Sequence, residues 1–325
     1  MTAVTTLSTT PPEPREGLLA DTPRPRRSRR PDGAGAPRWV EAPPFEKWLS
    51  LVLTMASVTI IALLVNVTFI SQVQHYASQA ALYEQIRLSL AQGAAPTGPL
   101  NSDGTLVTPG TPIAVLSAPD IGIGHEVVVE GTASAQTMVG IGHRRDTALP
   151  CQLGTAVLMA RAGAYGGVGQ SFKNLAVGST FTVSMGQGTC TYEVTGSRMP
   201  GDQAPPAPVG TEGRLTLTTA SGYPFFPTEV YRVDARLVGD GLGRPAVGLP
   251  TGALPTSEAA MGVDTSNLFG LVLLLQLLVG LAIGTTLLWK RWGRWQAWII
   301  CGPAVLAVGI LAAGAVNQWL LPNLL

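Results

Sequence analysis

Three cysteines and three histidines are the side chains of this sequence best suited to nucleophilic and acid–base chemistry. Cys151 follows His143 at a distance of eight residues, so a thiol and an imidazole can approach each other, as acyl transfer through a thiolate requires. Zinc ligands cluster at short spacings that this chain lacks. We therefore expect no metal and no cofactor. The net charge of +1 says little about partners, and we expect no nucleic-acid partner.

The end of one strand is a second candidate for chemistry. The run RLTLTTASGYP, residues 214–224, reads as a strand that ends in a turn, where a reactive group would be held. The residue at that point is Ala220, whose methyl group has no chemistry. The neighbouring Ser221 is a nucleophile only if a base activates it, and no histidine is placed by a motif to do so.

The composition indicates membrane segments, since only 13% of the residues are charged and the mean hydropathy is +0.28. Residues 48–70, 268–289 and 298–320 are uncharged, apolar and long enough for transmembrane helices. Lys and Arg are dense in residues 1–47 and 290–297, and basic segments stay in the cytoplasm. We therefore expect a multi-pass protein of the cell membrane, with a cytoplasmic N-terminus and loop and with an extracellular β-domain and C-terminus.

The segments between the spans differ in composition. Residues 1–47 are rich in Pro and Arg without apolar periodicity, which predicts a disordered cytoplasmic tail. Residues 71–111 predict an extracellular helix followed by a Gly/Pro linker. Residues 112–239 contain seven or more short β-type runs separated by turns, which predicts a barrel or a sandwich, and residues 240–267 form a second linker.

Four stretches of the β-domain follow one another in the order of a known family. Residues 118–131 match an I-P-x-L-G-I-x-x-P-V-V-E-G opening, and residues 140–155 match a G-P-G-H-x-x-G-T-x-x-P-G-x-x-G-N stretch. Residues 159–175 match a strand ending A-G-H-R-T-T-Y-G-x-x-F-x-x-L, and residues 215–220 match L-T-L-x-T-C. The β-domain thus resembles the sortase family, most nearly the class common in actinobacteria. The resemblance implies a β-barrel of about eight strands.

The resemblance to sortases implies a membrane-anchored transpeptidase. In such an enzyme a Cys attacks a Thr–Gly bond of a sorting signal, a His shuttles protons and an Arg stabilises the oxyanion. In this chain Arg161 occupies the His position, Ala220 the Cys position and Val230 the Arg position. Arg232 lies two residues along on the same face of its strand, so a short register shift would bring it into the Arg role. His143, in GHRRD, matches an upstream His that the family does not use as its base.

We therefore predict a catalytically inactive, sortase-like pseudoenzyme. Its groove, lined by Arg161, Ala220, Ser221 and Arg232, would still bind an extended peptide or an envelope partner, because a groove with edge hydrogen bonds needs no nucleophile. A guanidinium at position 161 inside that groove favours a carboxylate or phosphate ligand. The alternative is that Arg161 points to solvent or forms a local ion pair.

Two other interpretations stay open. An active cysteine transpeptidase or hydrolase would use a rearranged site with His143, Ser221 or Cys151 and with Arg232, whereas Cys190 lies far from the site in the family pattern. Cys151 and Cys190 also permit one disulfide bond, because both fall in the oxidising outer space; the alternative is that they are free and buried.

The spans also suggest a subunit of a membrane complex. Gly280 and Gly284 form a G-x-x-x-G pattern, which is typical of close contact between membrane helices. Asn66, Gln276 and Asn317 are polar groups in or near the spans that favour a hydrogen-bonding partner. These residues either bind another protein or pack the chain's own three helices together.

Overall fold

A computed structural model describes residues 44–101, 103–223, 226–245, 249–250 and 252–325. The predicted disordered tail, residues 1–47, lies outside these ranges except for its last residues, which begin a helix. The chain divides into two compact units, Met1–Leu53 and Thr54–Leu325. Among the described residues, the first unit contains only the beginning of that helix. The rest of the helix and all other elements belong to the second unit.

Eight strands of the described residues close into one barrel, which confirms the predicted fold class. The strands are β1 Pro112–Ala118, β2 Ile123–Glu130, β3 Ile141–His143, β4 Gly154–Met159, β5 Thr180–Met185, β6 Gly188–Arg198, β7 Gly213–Tyr223 and β8 Phe226–Leu237. Their order around the barrel is β1-β2-β3-β4-β7-β8-β6-β5. The pairs β2–β3 and β4–β7 are parallel, and the others are antiparallel.

Alternation of apolar and polar residues explains why these runs form strands with one face inside. In β5 the side chains of Phe181, Val183 and Met185 are buried in the barrel core, whereas the residues between them are more exposed. A fully buried side chain of this size stabilises the fold by about 1.5–3 kcal/mol. A strand with this pattern has one face in the core and the other on the outside of the barrel.

Three helical stretches within the described ranges are long and apolar enough to span a membrane, as predicted. The first is α1 Pro44–Val65, continued by a π-helical turn Asn66–Ile70 and by α2 Ser71–Ala91. Two short helices lie in the connections between strands: α3 Ser134–Val139 between β2 and β3, and α4 Val168–Phe172 between β4 and β5. The other two stretches are α5 Leu268–Trp292 and α6 Arg294–Leu320. Between them stands only Gly293, with a φ of 108° that a glycine adopts readily, so most of the predicted loop 290–297 is helical.

Helix α2 is fixed to the outside of the barrel. Ile86 is fully buried against Val127 and Val129 of β2. The amide of Gln79 donates to Val139 O at 2.7 Å and accepts from Val127 N at 2.8 Å. The helix that leaves the first span therefore contacts β2 through both apolar packing and main-chain groups.

Candidate functional site

Residues 321–325 of the chain itself occupy the surface beside Ala220; we call them the 321–325 segment. They follow α6 directly. Ala162 N donates to Leu324 O at 2.9 Å, and Ala164 N donates to the main-chain oxygen of Leu325 at 3.3 Å. Leu325 N also donates to Pro322 O at 3.1 Å, so the segment forms a turn rather than an extended strand.

Leu324 is the apolar anchor of the segment. Its side chain is fully buried in a cluster with Met159 and Ala220, and partly buried residues that include Val230 and Met261 pack against this cluster. Because the side chain of Leu324 covers the methyl group of Ala220, that residue is only 1% exposed. Ala220, which has no reactive side chain, thus forms the floor of the pocket that holds Leu324.

Asn323 is the polar anchor. It is fully buried, and its Nδ2 donates to Thr132 O at 2.7 Å and to Ala259 O at 2.8 Å. Its main-chain N donates to Gly262 O at 2.9 Å. These bonds tie the segment both to the loop after β2 and to the stretch that precedes α5.

Arg161 lies beneath the segment and is 2% exposed. Its Nη1 donates to Pro322 O and Leu325 O, both at 3.3 Å, and its Nη2 donates to Ser134 Oγ at 2.6 Å and to Ser134 O at 3.3 Å. Burial lowers the pKa of Arg161 to about 10. The guanidinium therefore neither points to solvent nor forms an ion pair with the described residues, but serves as a donor to main-chain oxygens.

Tyr165 joins this site to the membrane helices. Its φ of 51° lies in the left-handed region, which is unusual for a bulky residue. Arg161 stands 5.3 Å from its ring centroid, and Asn317 Nδ2 of α6 donates to its hydroxyl at 3.2 Å. Burial raises the pKa of Tyr165. Because such strained backbone persists only when its surroundings hold it, the loop after β4 depends on these contacts.

The groove continues beyond the segment as an open space of about 300 Å³. It borders Leu325 and is lined by Gln170, Lys173, Ser221 and Tyr223 among others. Partial burial lowers the pKa of Lys173, whose Nζ donates to Gln170 Oε1 at 2.9 Å. Ser221 thus lies at the wall of a groove that has room for a further ligand.

Arg232 does not line that groove. It pairs with Thr218 of β7, whereas Val230 pairs with Ala220. Neighbouring Arg232, Arg198 forms an ion pair with Asp234 at 2.6 Å. Desolvation is the largest cause that lowers the pKa of Arg232, and its guanidinium makes no hydrogen bond with the part of the chain that the structure describes. Of the four residues predicted for the groove, the structure brings Arg161, Ala220 and Ser221 to the 321–325 segment or the adjoining space, and it leaves Arg232 apart.

The sulfur atoms of Cys151 and Cys190 form a disulfide bond, with Cα atoms 5.7 Å apart. Cys151 is fully buried in the barrel core, and its main-chain N donates to the Tyr192 hydroxyl at 2.7 Å. The third cysteine, Cys301, is free and lies in α6. In this structure, therefore, no barrel cysteine has a thiol that could act as a nucleophile.

Both ring nitrogens of His143 are engaged inside the protein. Nδ1 lies 2.9 Å from Glu130 Oε2, and Nε2 lies 2.9 Å from Ala148 O. Because a carboxylate and a carbonyl both accept, these two partners favour the doubly protonated, charged ring. Burial by itself would lower the pKa of His143, but the charge and hydrogen bond of Glu130 outweigh it, so the pKa is raised. A charged ring with both nitrogens occupied is unsuited to be a general base.

We expect the barrel to lose stability as the pH rises through the raised pKa of His143. A group with a raised folded pKa contributes its stability fully below its unfolded pKa, near 6.5, and loses that contribution as the pH rises through the folded value. Pulse proteolysis in urea between mildly acidic and alkaline pH measures this. The midpoint of the wild type should fall more steeply than that of a His143→Gln chain, and equal slopes would contradict the assignment.

The polar residues of the spans divide into two groups. Asn317 Nδ2 donates to Asn66 Oδ1 at 2.8 Å, so these two join the chain's own helices. Gly280 and Gly284 have open space where a Cβ would stand, within the described residues, and Gln276 on the same face of α5 is exposed. Association of another helix with this face stays a prediction.

The residues that sequence reasoning missed are those of the 321–325 segment together with Ser134 and Tyr165. No element was predicted for residues 321–325, although a proline just after an apolar helix is a signal that the helix ends. Tyr165 was matched to a family motif but given no role. Nothing in the local sequence of Ser134 indicates that its hydroxyl accepts from the guanidinium of Arg161 in the loop after β4.

No protein-family model matches the chain, and no curated protein matches it. Among solved structures it is similar to a sortase D5 transpeptidase of Clostridium perfringens, at 19% identity and a TM-score of 0.42, over 50% of this chain and 99% of that one. It is also similar to sortase A of Corynebacterium diphtheriae, at 20% identity and a TM-score of 0.36, over 52% and 90% of the two chains.

A third similar structure is the pilus island 1 sortase C2 of group B Streptococcus, at 20% identity and a TM-score of 0.37, over 49% of this chain and 97% of that one. Sortases are thus the class of solved structures with which this chain shares similarity, as the sequence motifs predicted. At these identities the similarity concerns the fold and not the chemistry.

Proposed function

We propose that the chain is a multi-pass membrane protein of sortase-like fold whose barrel binds a peptide beside Ala220 and does not carry out acyl transfer. The observation that carries this proposal is the 321–325 segment, which occupies the groove through main-chain hydrogen bonds, a buried leucine and a buried asparagine. The occupant forms a turn, so the favoured ligand is a short, turn-forming peptide with a leucine rather than an extended strand.

The absence of acyl transfer is supported by the residues at the groove. The methyl group of Ala220 forms no acyl-enzyme, and Arg161, with its pKa of about 10, holds its protons at neutral pH. All three cysteines and all three histidines lie in the described residues, and no thiol lies beside an imidazole in the barrel. A pseudoenzyme that retains the groove agrees with these features.

The rearranged hydrolase is the alternative. Ser221 and Lys173 border the same open space, and lysine with a lowered pKa activates serine in some hydrolases. That activation needs a direct hydrogen bond, whereas the hydrogen bond that Lys173 Nζ forms goes to Gln170. The geometry therefore favours binding over turnover.

The proposed orientation has the barrel outside the cell and residues 1–47 and 290–297 in the cytoplasm. Basic residues in those segments support this orientation. The disulfide bond between Cys151 and Cys190 supports an oxidising surrounding for the barrel.

A synthetic LPNLL peptide, which has the sequence of residues 321–325, tests the function. The full chain in lipid nanodiscs should retain the labelled peptide at millimolar concentration above the scrambled peptide LNLPL. Mass spectrometry should find the peptide intact and the chain without adduct. Cleavage or an acyl adduct would establish the alternative, and retention no greater than that of LNLPL would refute peptide binding.

A further inference from the structure

We propose that the 321–325 segment is an intramolecular competitor, which occupies the groove until a peptide of similar chemistry displaces it. This inference rests on the proposed function and names how the same site is regulated. It begins from the arrangement of the segment, whose buried residues close a pocket that would otherwise open to solvent beside Ala220.

The segment can leave without opening the barrel. The eight strands close around the barrel in pairs that include none of residues 321–325. The segment is held by two hydrogen bonds from the loop after β4, by Arg161, by Asn323 and by the side chain of Leu324. These contacts lie on the outer face of the barrel, so the core packing does not depend on them.

The open part of the groove gives an incoming peptide a first place to bind. This space begins at Leu325 and extends along Ser221 to Tyr223, which is 80% exposed. A peptide can therefore contact the groove while the segment is still in place. The same open space reaches Ala220 at its edge, and displacement of Leu325 and Leu324 then uncovers the leucine pocket over Ala220.

Arg161 determines what a displacing ligand must supply. When the segment leaves, Nη1 loses both of its acceptors, Pro322 O and Leu325 O. A buried guanidinium without acceptors is costly, so the ligand must present oxygen atoms at the same place. A leucine peptide with main-chain oxygens fits both the pocket and the guanidinium, whereas an apolar molecule alone fits only the pocket.

The short connection to α6 makes the competitor strong. Helix α6 ends at Leu320, so only Leu321 separates the helix from the docked turn. A tether this short holds the segment at an effective concentration of roughly millimolar or more near its site. The apparent affinity of a free peptide is therefore its intrinsic affinity multiplied by the fraction of chains in which the groove is open.

The test measures exposure of position 220 and peptide affinity in the same chains. An Ala220→Cys substitution in a Cys301→Ser background provides one free thiol, since the other two cysteines form the disulfide. Leu324→Asp places a charge in the apolar pocket and should release the segment. The matched control is Leu106→Asp, because Leu106 is 48% exposed. In nanodiscs, Leu324→Asp should accelerate maleimide modification at position 220 at least tenfold and tighten LPNLL binding at least tenfold, and the control should change neither.

The outcomes separate the two proposals. Equal modification rates in the Leu324→Asp and control chains would overturn the inference. Equal LPNLL affinity in both chains would also overturn it, while the proposed function would stand. Faster modification with no LPNLL binding in either chain would overturn the proposed function and competition with it. Leu324→Ala, a milder change, should give an intermediate acceleration, so the test does not depend on the folding of a single variant.

Discussion

Replacing both Cys151 and Cys190 by alanine should lower the free energy of unfolding of the barrel by about 4 kcal/mol. The disulfide bond closes a loop with a sequence separation of 39, and the loss of chain entropy in the unfolded state gives an effect of this size. The bond joins the loop before β4 to β6, two parts of the barrel that are not neighbours in the sheet. It therefore limits the unfolded chain more than a local hairpin contact would.

Pulse proteolysis in urea, without reductant, measures this loss in detergent-solubilised full chain. The Cys301→Ala chain is the matched control, because Cys301 is free and lies in α6. The control should keep the midpoint of the wild type. A double variant with an unchanged midpoint would show that the disulfide bond adds nothing to the stability of the barrel.

Replacing Arg161 by glutamate should release the 321–325 segment. The substitution removes four donated hydrogen bonds, to Pro322, Leu325 and both acceptors of Ser134, and it sets a carboxylate against these oxygen atoms. Only the bonds to Pro322 O and Leu325 O hold the segment directly, and their loss together with the buried carboxylate amounts to about 4 kcal/mol or more against docking. The thiol introduced at position 220 should then react with maleimide at least a hundredfold faster.

Two controls bracket this effect. Arg161→Lys keeps the charge but has one donor group in place of the planar fork, so it should give an intermediate rate. Arg87→Glu reverses the charge of an exposed arginine on α2 and should leave the rate unchanged. If Arg161→Glu reacts no faster than Arg87→Glu, the guanidinium does not hold the segment.

Local periodicity explains why the fold could be predicted. The alternating runs of β5 and β7 and the three uncharged apolar stretches each carry their signal within a few residues. Strand β7 was likewise recognisable, but it continues to Tyr223 and does not stop at Ala220 as predicted; Ala220 does lie at the floor of the site. These features depend on short-range patterns, which a single sequence contains.

The partners of Arg161 could not be predicted in the same way. Pro322 and Leu325 lie 161 and 164 residues away along the chain, and they accept through main-chain oxygens, which every residue type possesses. The alternatives considered for Arg161 were a bound anion, a local ion pair and exposure to solvent, and none of them included main-chain oxygens as its partners. Docking to the carbonyl oxygens of distant residues has no sequence signature. The position of Arg232 outside the groove depends on the strand register, which also has no local signature.

Photo-crosslinking of LPNLL, with a photoreactive leucine at the fourth position, tests the central claim most directly. The claim is that the groove over Ala220 is a peptide site without a nucleophile. In the Leu324→Asp chain, the account predicts crosslinks on Met159, Ala220 or Val230, the residues around Leu324, and no cleavage of the peptide. Crosslinks confined to other surfaces, or equal crosslinking of LNLPL at these residues, would contradict it.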